Sequence, residues 1–475
     1  MEADVRTSFA QQPARPTDWC DLARLTIDML PDVALLGVFD YYLSSTKEWR
    51  TLVHVCRKWR VVVFGSPRRL DLQLYCTAST PVRETLDVWP RLPISVWVTD
   101  PEMWDKWGVD NIIAALEHSD RICQLILYNL SSSQWEKVLT AMQKPFPALT
   151  SVGIRLMDKT APVPASFLDG SGPCLRSLWL YFIPFPGLPK LLLSATHLAH
   201  LRLHGIPHSG YISPDGMVAC LSLLTGLKSL VIEFESPQSR PDWKSRRPPP
   251  QIRTLLPTLT YLKLKGVGEY LEDLVARIDA PLLYYLEIAF HHRLIFDTPL
   301  LTQFFSRTPM LKSPDEARVF FSDSQVWVTF NGDLNLVISC KKSDWQLSSL
   351  AQVCSSSFPR AIIPGVERLH ILDGSPPPEW QDDVENSQWI ELLRSFTAVK
   401  GLYICREFAP RVAPALQELV GERATEVLPA LQSLFFEEPL PSGPVEESIE
   451  QFVTARRLTG HPIAISHWER KKDEW

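Results

Sequence analysis

The feature that most constrains this chain is a phrase, apolar-x-x-apolar-x-apolar, that returns along most of its length. It reads Ile122/Leu125/Leu127, Leu149/Val152/Ile154, Leu175/Leu178/Leu180 and Leu198/Leu201/Leu203. It continues as Leu227/Leu230/Ile232, Leu259/Leu262/Leu264 and Leu283/Leu286/Ile288. After a gap it returns as Val366/Leu369/Ile371, Val399/Leu402/Ile404 and Leu431/Leu434/Phe436. The last two apolar positions alternate with other residues, which is the period of a strand with one buried face. Successive phrases start 23 to 33 residues apart, room for one strand and one return segment per unit. Neither part can bury its apolar side alone, so the units must stack and their strands must share one sheet.

This phrase and period are those of leucine-rich repeats. The fold class expected is α/β: a short N-terminal helical domain, then an irregular solenoid over residues 68–460. Its curved parallel sheet would carry helices or loops on the convex side. The Asn that the strict repeat places three residues after the last leucine is missing, as at Leu130 after Leu127 and Ile206 after Leu203. Between Leu283 and Val366 the phrase is silent for 83 residues, enough for three units. Val326/Val328/Phe330 and Leu334/Leu336/Ile338 are candidate strands there. A blander alternative is a leucine-rich α/β fold without true repeats. Residues 236–250 (SPQSRPDWKSRRPPP) and 373–388 (DGSPPPEWQDDVENSQ) are too Pro-rich for helix and too polar for strand, and read as exposed loops. From 446 a final amphipathic helix is expected through Ile449, Phe452 and Val453, and a charged tail over 461–475.

Ahead of the repeats, after a tail at 1–20, residues 21–67 follow a helical period. Leu35, Leu36, Phe39, Tyr42 and Leu43 share one helical face. Pro31 suits a first turn and Asp32 its positive end. Ser45 with Glu48 makes a capping box for a second helix, whose stripe is Leu52, Val55, Cys56, Trp59 and Val62. Ser66-Pro67 ends it. A hairpin of this size is too small to bury its own apolar surface comfortably, so it needs the rest of the chain or a partner. Leu30-Pro31-Asp32, Leu35-Leu36, Val38-Phe39 and Val55-Cys56-Arg57-Lys58-Trp59-Arg60 together resemble an F-box. In that family the motif inserts apolar side chains into the Skp-type adaptor of a cullin ubiquitin ligase. The resemblance implies adaptor contacts at Leu30, Pro31, Leu35, Leu36, Val38, Phe39 and Trp59, with Val55, Cys56 and Trp59 also holding the hairpin together. Val33-Ala34 stands where many members have an acidic and then a larger aliphatic residue. Gly37 sits mid-helix at a cost of about 1 kcal/mol against Ala. The layout, leading through Ser-Pro-Arg-Arg-Leu into irregular repeats, resembles the large F-box families of basidiomycete fungi.

The formal net charge of −6 gives no sign of a nucleic-acid protein. No apolar run approaches the length of a membrane span. The first twenty residues lack the apolar core of a secretory signal. Nine Cys without a C-x-x-C pair read as reduced thiols of an intracellular protein, cytoplasmic or nuclear. No nucleophile elbow, Walker loop, H-E-x-x-H or G-x-G-x-x-G occurs, so no enzyme activity, cofactor or metal is expected. His197, His200, His204 and His208 do not converge at strand spacing and read as groove histidines rather than a zinc site.

In a leucine-rich solenoid the residues between and just after the strand leucines face the concave sheet surface. One such row holds Trp179, Arg202, Lys263, Glu287, His370, Tyr403 and Phe435. Its neighbour holds Tyr128, Arg155, Tyr181, His204, Glu233, Lys265 and Glu437. Aromatics and arginine are what interface hot spots favour. The candidate substrate contacts are Trp179, Tyr181, Arg202, His204, Lys263, Lys265 and Tyr403, and the N-terminal half suits an acidic or mixed protein patch. The function expected is a substrate-recognition subunit of a Skp/cullin/F-box ligase, with an unknown protein substrate on the repeats. The alternative is a repeat scaffold whose hairpin is only an N-terminal cap.

Overall fold

The computed structural model describes residues 29–42, 49–65, 72–98, 108–156, 162–237, 252–291, 298–311, 314–340, 345–356, 362–374, 386–438 and 443–470. The N-terminal tail, Ser45 and Glu48, and most of the two Pro-rich stretches (238–251 and 375–385) lie outside them.

The sheet opens with β1 (Leu72–Tyr75), β2 (Ile94–Val98), β3 (Ile122–Leu130), β4 (Ser151–Leu156) and β5 (Ser177–Tyr181). It continues through β6 (His200–Ile206), β7 (Ser229–Phe234), β9 (Tyr261–Gly266) and β11 (Tyr285–His291). Two-residue strands β8 (Thr254–Leu255) and β10 (Ile278–Asp279) form a separate parallel pair. The phrase leucines align across the ladder: Leu178, Leu201, Leu230, Leu262 and Leu286 are successive register partners, and all are fully buried. Stacked leucine on leucine is what fixes the register, since a one-residue slip would turn every one of them to the other face.

Successive units are clasped by main chain where their strands begin. In many units the carbonyl just before a strand accepts two N–H groups from the start of the next unit. Thr150 O takes Arg176 N and Ser177 N, Arg176 O takes Ala199 N and His200 N, and Ala199 O takes Lys228 N and Ser229 N. Lys228 O and Thr260 O repeat the clasp, and so do Glu367 O and Lys400 O in the C-terminal units. These strand entries are therefore satisfied by main chain alone, which any residue can supply.

Return segments carry α4 (Val82–Val88), α5 (Val109–Leu116), α6 (Ser132–Ala141), α7 (Leu188–Ser194), α8 (Pro214–Leu221) and α9 (Gly268–Val275). Each buries an apolar stripe, such as Leu188, Leu191 and Leu192 in α7, against the leucine face. Neighbouring helices stack along the solenoid. The buried carboxylate of Glu272 in α9 accepts Leu300 N and Leu301 N at 3.0 and 2.8 Å, at the start of α10 (Pro299–Ser306). It ties one return segment to the next.

The silent stretch is not three repeats. After α10 the chain enters β12 (Glu316–Phe321), turns into β13 (Gln325–Phe330) and turns again into β14 (Leu334–Ser339). The order in space is β11-β14-β13-β12-β15, with β15 at Arg368–Asp373. Among the described strands of this sheet only β13 runs against the rest. The chain skips two strand positions and fills them on the way back. The cause is local: Asn331 and Gly332 both have positive φ (48° and 80°), the chemistry of a tight hairpin, and Asn331 Oδ1 accepts Glu316 N at 3.1 Å. Two alternating runs joined by Asn-Gly must fold antiparallel, because no return segment fits between them.

The regular pattern then resumes with α11 (Trp345–Ser356), β15, α12 (Asn386–Arg394), β16 (Gly401–Ile404), α13 (Ala409–Gln417), β17 (Ser433–Phe436) and α14 (Pro444–Leu458). The sheet does not stop at 460. Residues 464–467, expected within a charged tail, form β18 (Ala464–His467), parallel to β17. The short run Ile463-Ala464-Ile465 pairs by main chain and needs few inward side chains, so the hydrophobic pattern hides it.

The N-terminal helices are α1 (Asp32–Tyr42), α2 (Trp49–Val53) and α3 (Arg57–Phe64). The second expected helix is thus two. Cys56 takes extended backbone (φ −156°, ψ 170°) and its Sγ accepts Trp59 N at 3.4 Å, capping α3. Arg60 Nε closes the end of α2 on Val53 O at 2.9 Å. The break turns Val55 out to solvent and off the apolar stripe.

Candidate functional site

Two surfaces carry chemistry: the hairpin, and the sheet face opposite the helices. In the hairpin Leu35 and Phe39 are fully buried, Phe39 edge-on to Trp59 with ring centroids 4.7 Å apart. Leu36 and Trp59 are half-buried and pack on the same core. These four hold the hairpin together, which corrects the expectation that Leu35 and Phe39 face an adaptor. Their spacing gave the right helix face, but the partner across it is α3. Leu30, Pro31 and Val38 do point outward, joined by Met29, Val33 (81% exposed) and Tyr41 (94% exposed). Positions 30, 33, 34, 37, 38 and 41 make one open stripe of α1. Gly37 lies in it with nothing within 4 Å of where a Cβ would sit. The Val33-Ala34 and Gly37 departures therefore fall on the outward face and cost the hairpin core nothing. Lys58 fixes the N-terminal turn by donating to Leu30 O at 2.7 Å.

On the sheet, both predicted rows are real rows. Trp179 pairs with Arg202, Lys263 with Glu287, and His370 with Tyr403 and then Phe435. In the second row Arg155 pairs with Tyr181 and Tyr181 with His204. The rows divide into three regions of different chemistry.

Across β3 to β6 the face is aromatic and cationic. The Arg202 guanidinium lies 5.6 Å from the Trp179 ring centroid, a cation–π contact. Tyr181 stacks on His204 at 4.6 Å and receives Tyr128 edge-on at 6.1 Å. Gly153 on β4 is what lets these rings close over. A Cβ there would meet Ile126 Cδ1 at 2.9 Å and Tyr128 Oη at 3.2 Å.

Across β6 to β14 runs a continuous polar chain. His204 Nδ1 and Glu233 Oε2 are 3.0 Å apart, and Lys263 Nζ lies 3.0 Å from both Glu233 and Glu287. Tyr285 donates to Glu287 at 2.9 Å, and Asn335 Nδ2 donates to Tyr285 Oη at 3.0 Å. Burial works to raise the Glu233 carboxyl, but its bonds to His204 and Lys263 outweigh that and hold it at about 2. Burial works against the Lys263 charge, and the two carboxylates more than restore it. Lys263, expected as a substrate contact, is therefore a bridge within the sheet. Lys265 has no ion pair among the described residues. It lines a depression of about 450 Å³ with Glu233, Glu287, Trp327 and Asn335.

Across β15 to β18 the face is covered by the chain itself. His370, Tyr403 and Phe435 stack at 4.1 and 4.3 Å. After β18 the chain turns back over them: Trp468 sets its edge 5.7 Å from both His370 and Tyr403. Arg470 reaches Asp373 at the end of β15, 2.7 Å to Oδ1 and 3.1 Å to its carbonyl. Tyr403 is thus taken by the C-terminal segment and does not form an open contact with a partner. The sequence gives no sign of this, because the fold-back is pinned by Arg470 to Asp373, residues 97 positions apart.

Burial pushes the His370 imidazole down to about 4 against the pull of Glu316, with Arg318 and Arg368 acting in the same direction as burial. Its Nε2 stands 3.7 Å from Glu316 Oε1, too far for a hydrogen bond, and the ring is neutral at pH 7. A folded value below the ordinary 6.5 means that its contribution is complete above that pH and is lost as pH falls toward 4. Thermal melts of the protein should lose stability over that window, and His370→Gln should lose less. Parallel curves for the two proteins would contradict the assignment. Glu233 acts lower, between its ordinary 4.5 and about 2.

Every described cysteine is a free thiol. Among the described residues no helix is long and apolar enough to cross a membrane, and no group of His, Cys, Asp and Glu could hold a metal ion.

No protein-family model and no curated protein matches the chain. Among solved structures it is similar to the leucine-rich repeat-containing protein LegL7 from Legionella pneumophila, at 13% identity. The match covers 81% of this chain and 97% of that one with a TM-score of 0.26, a likeness too loose to carry a functional argument.

Proposed function

We propose that this chain is a substrate-recognition subunit of a cullin ubiquitin ligase. The F-box-like hairpin docks to a Skp-type adaptor, and the open part of the sheet face holds a protein substrate. The observation that carries the reading is the division of labour in α1. One face is closed by Leu35, Phe39 and Trp59, and the other leaves Leu30, Val33, Val38 and Tyr41 in solvent. An apolar stripe of this kind on so short a helix is costly to leave wet and is ordinarily covered by a partner. The resemblance of Leu-Pro-Asp, Leu-Leu, Val-Phe and Val-Cys-Arg-x-Trp-Arg to an F-box is what supports a Skp-type adaptor as that partner. Holding substrate and ligase on one chain makes ubiquitin transfer, performed by other subunits, effectively intramolecular.

The test is co-purification of a Skp-type adaptor with the full chain. Val33→Asp with Tyr41→Asp places two charges on the open stripe and should abolish capture while the melting curve is unchanged, since both side chains are exposed. Capture that survives the double variant, or its absence from the parent chain, removes the ligase reading. A repeat scaffold with the hairpin as a cap would then stand.

A further inference from the structure

Among the described residues the two arginines at β4 to β6 have no carboxylate partner. Arg155 on β4 and Arg202 on β6 flank Trp179 and Tyr181 on β5, as the register sets them. The two arginines lie two strands apart and two residues out of register, about 12 Å between Cα atoms, so two long side chains can lean over β5 and reach one ligand. Among the described residues neither makes an ion pair. The nearest carboxylate in the rows, Glu233, is engaged by His204 and Lys263. On β5 and β6 the buried Trp179 Nε1 and Arg202 Nε are donors without a partner. Cations and N–H groups gathered over two aromatic rings, with no carboxylate paired to either arginine among the described residues, offer a place for an anion. The far end of the face is covered by Trp468 and Arg470, which confines an extended ligand to the N-terminal half.

We propose that Arg155 and Arg202 bind an anionic side chain, carboxylate or phosphoryl, of an extended peptide whose neighbouring residues lie on Trp179 and Tyr181. Arginine forks match both anions in geometry, and the rings give the peptide a flat apolar floor. The inference rests on reading this sheet face as a partner-binding surface and is independent of the hairpin.

Three fluorescein-labelled peptides in a Gly-Ser frame test it on the full chain: one with a central phosphoserine, one with Glu and one with unmodified Ser. At least one anionic peptide should bind, weaken as salt rises, and lose about tenfold to a hundredfold in affinity in Arg155→Gln/Arg202→Gln. The Ser peptide should not bind. A phosphoserine peptide that binds well ahead of Glu identifies the phosphoryl form, and equal binding identifies a general acidic ligand. Arg155→Gln alone changes an exposed side chain and should show a partial loss with an unchanged melting curve. No binding by either anionic peptide, or binding indifferent to the double variant, overturns the proposal. A chain that captures adaptor but no anionic peptide sinks this inference and keeps the docking reading. The reverse result does the opposite.

Discussion

Phe39→Ala should unfold the N-terminal hairpin rather than weaken one contact on its surface. Phe39 is 2% exposed and its ring meets Trp59. Deleting a buried phenyl group costs about 3–5 kcal/mol. The hairpin has little to spare: α2 and α3 have 5 and 8 residues, too short to be helical without packing. Hydrogen exchange on the full chain should show amides of 32–64 losing protection together, while β5 to β9 keep theirs. Val33→Ala and Tyr41→Ala, on the open stripe, should each stay within about 0.5 kcal/mol of the parent. Equal effects for Phe39→Ala and Tyr41→Ala would overturn the division of α1 into a structural and a docking face.

Arg456→Met should release the C-terminal end of the solenoid. Arg456 is fully buried in α14 and has no carboxylate partner among the described residues. Its guanidinium donates instead to three carbonyls: Ala424 and Leu431 at 3.0 Å and Pro429 at 3.4 Å. Those carbonyls belong to the loop that leads into β17, so one side chain fastens the last helix to the last repeats. Burial lowers its pKa, but arginine retains its proton. With methionine the carbonyls remain buried without donors, at about 1–3 kcal/mol each. A terminal unit in a linear array has one neighbour only, so the loss is not shared. Limited proteolysis should cut within 444–470 while the N-terminal units resist, and Trp468 and Arg470 should leave the sheet face with it. Arg456→Lys, which keeps the charge but not the fork, should fall between the two. An uncut C-terminus in Arg456→Met would show that the cap is held by Ile449 and Phe452 alone.

The sequence reveals the repeat where side chains do the work and hides it where main chain does. Leu201, Leu230 and Leu262 announce their strands because burying them is what makes the strands. The same logic places Trp179 in a row with Arg202 and Lys263 with Glu287 from the sequence. The reversal at β13 is decided by Asn331-Gly332, a turn signal between two alternating runs that outweighs the expectation of a continued repeat. β18 has almost no inward side chains and cannot be read from hydrophobicity. In the hairpin the helical face through Leu35 and Phe39 is legible, but its partner is not. Apolar periodicity says that a face is covered and not by which element. The corrections at Lys263 and Tyr403 have a similar origin: a row position fixes where a side chain points, and only the fold shows that Glu233 or Trp468 already occupies it.

In the proposed function α1 docks the adaptor and the sheet face holds the cargo. Hydrogen exchange of the full chain, with and without a Skp-type adaptor, tests that separation most directly. The predicted result is new protection confined to residues 29–42 and the adjoining α3, with β3 to β9 unchanged. Protection on the β4 to β9 strands, or none on α1, would contradict it.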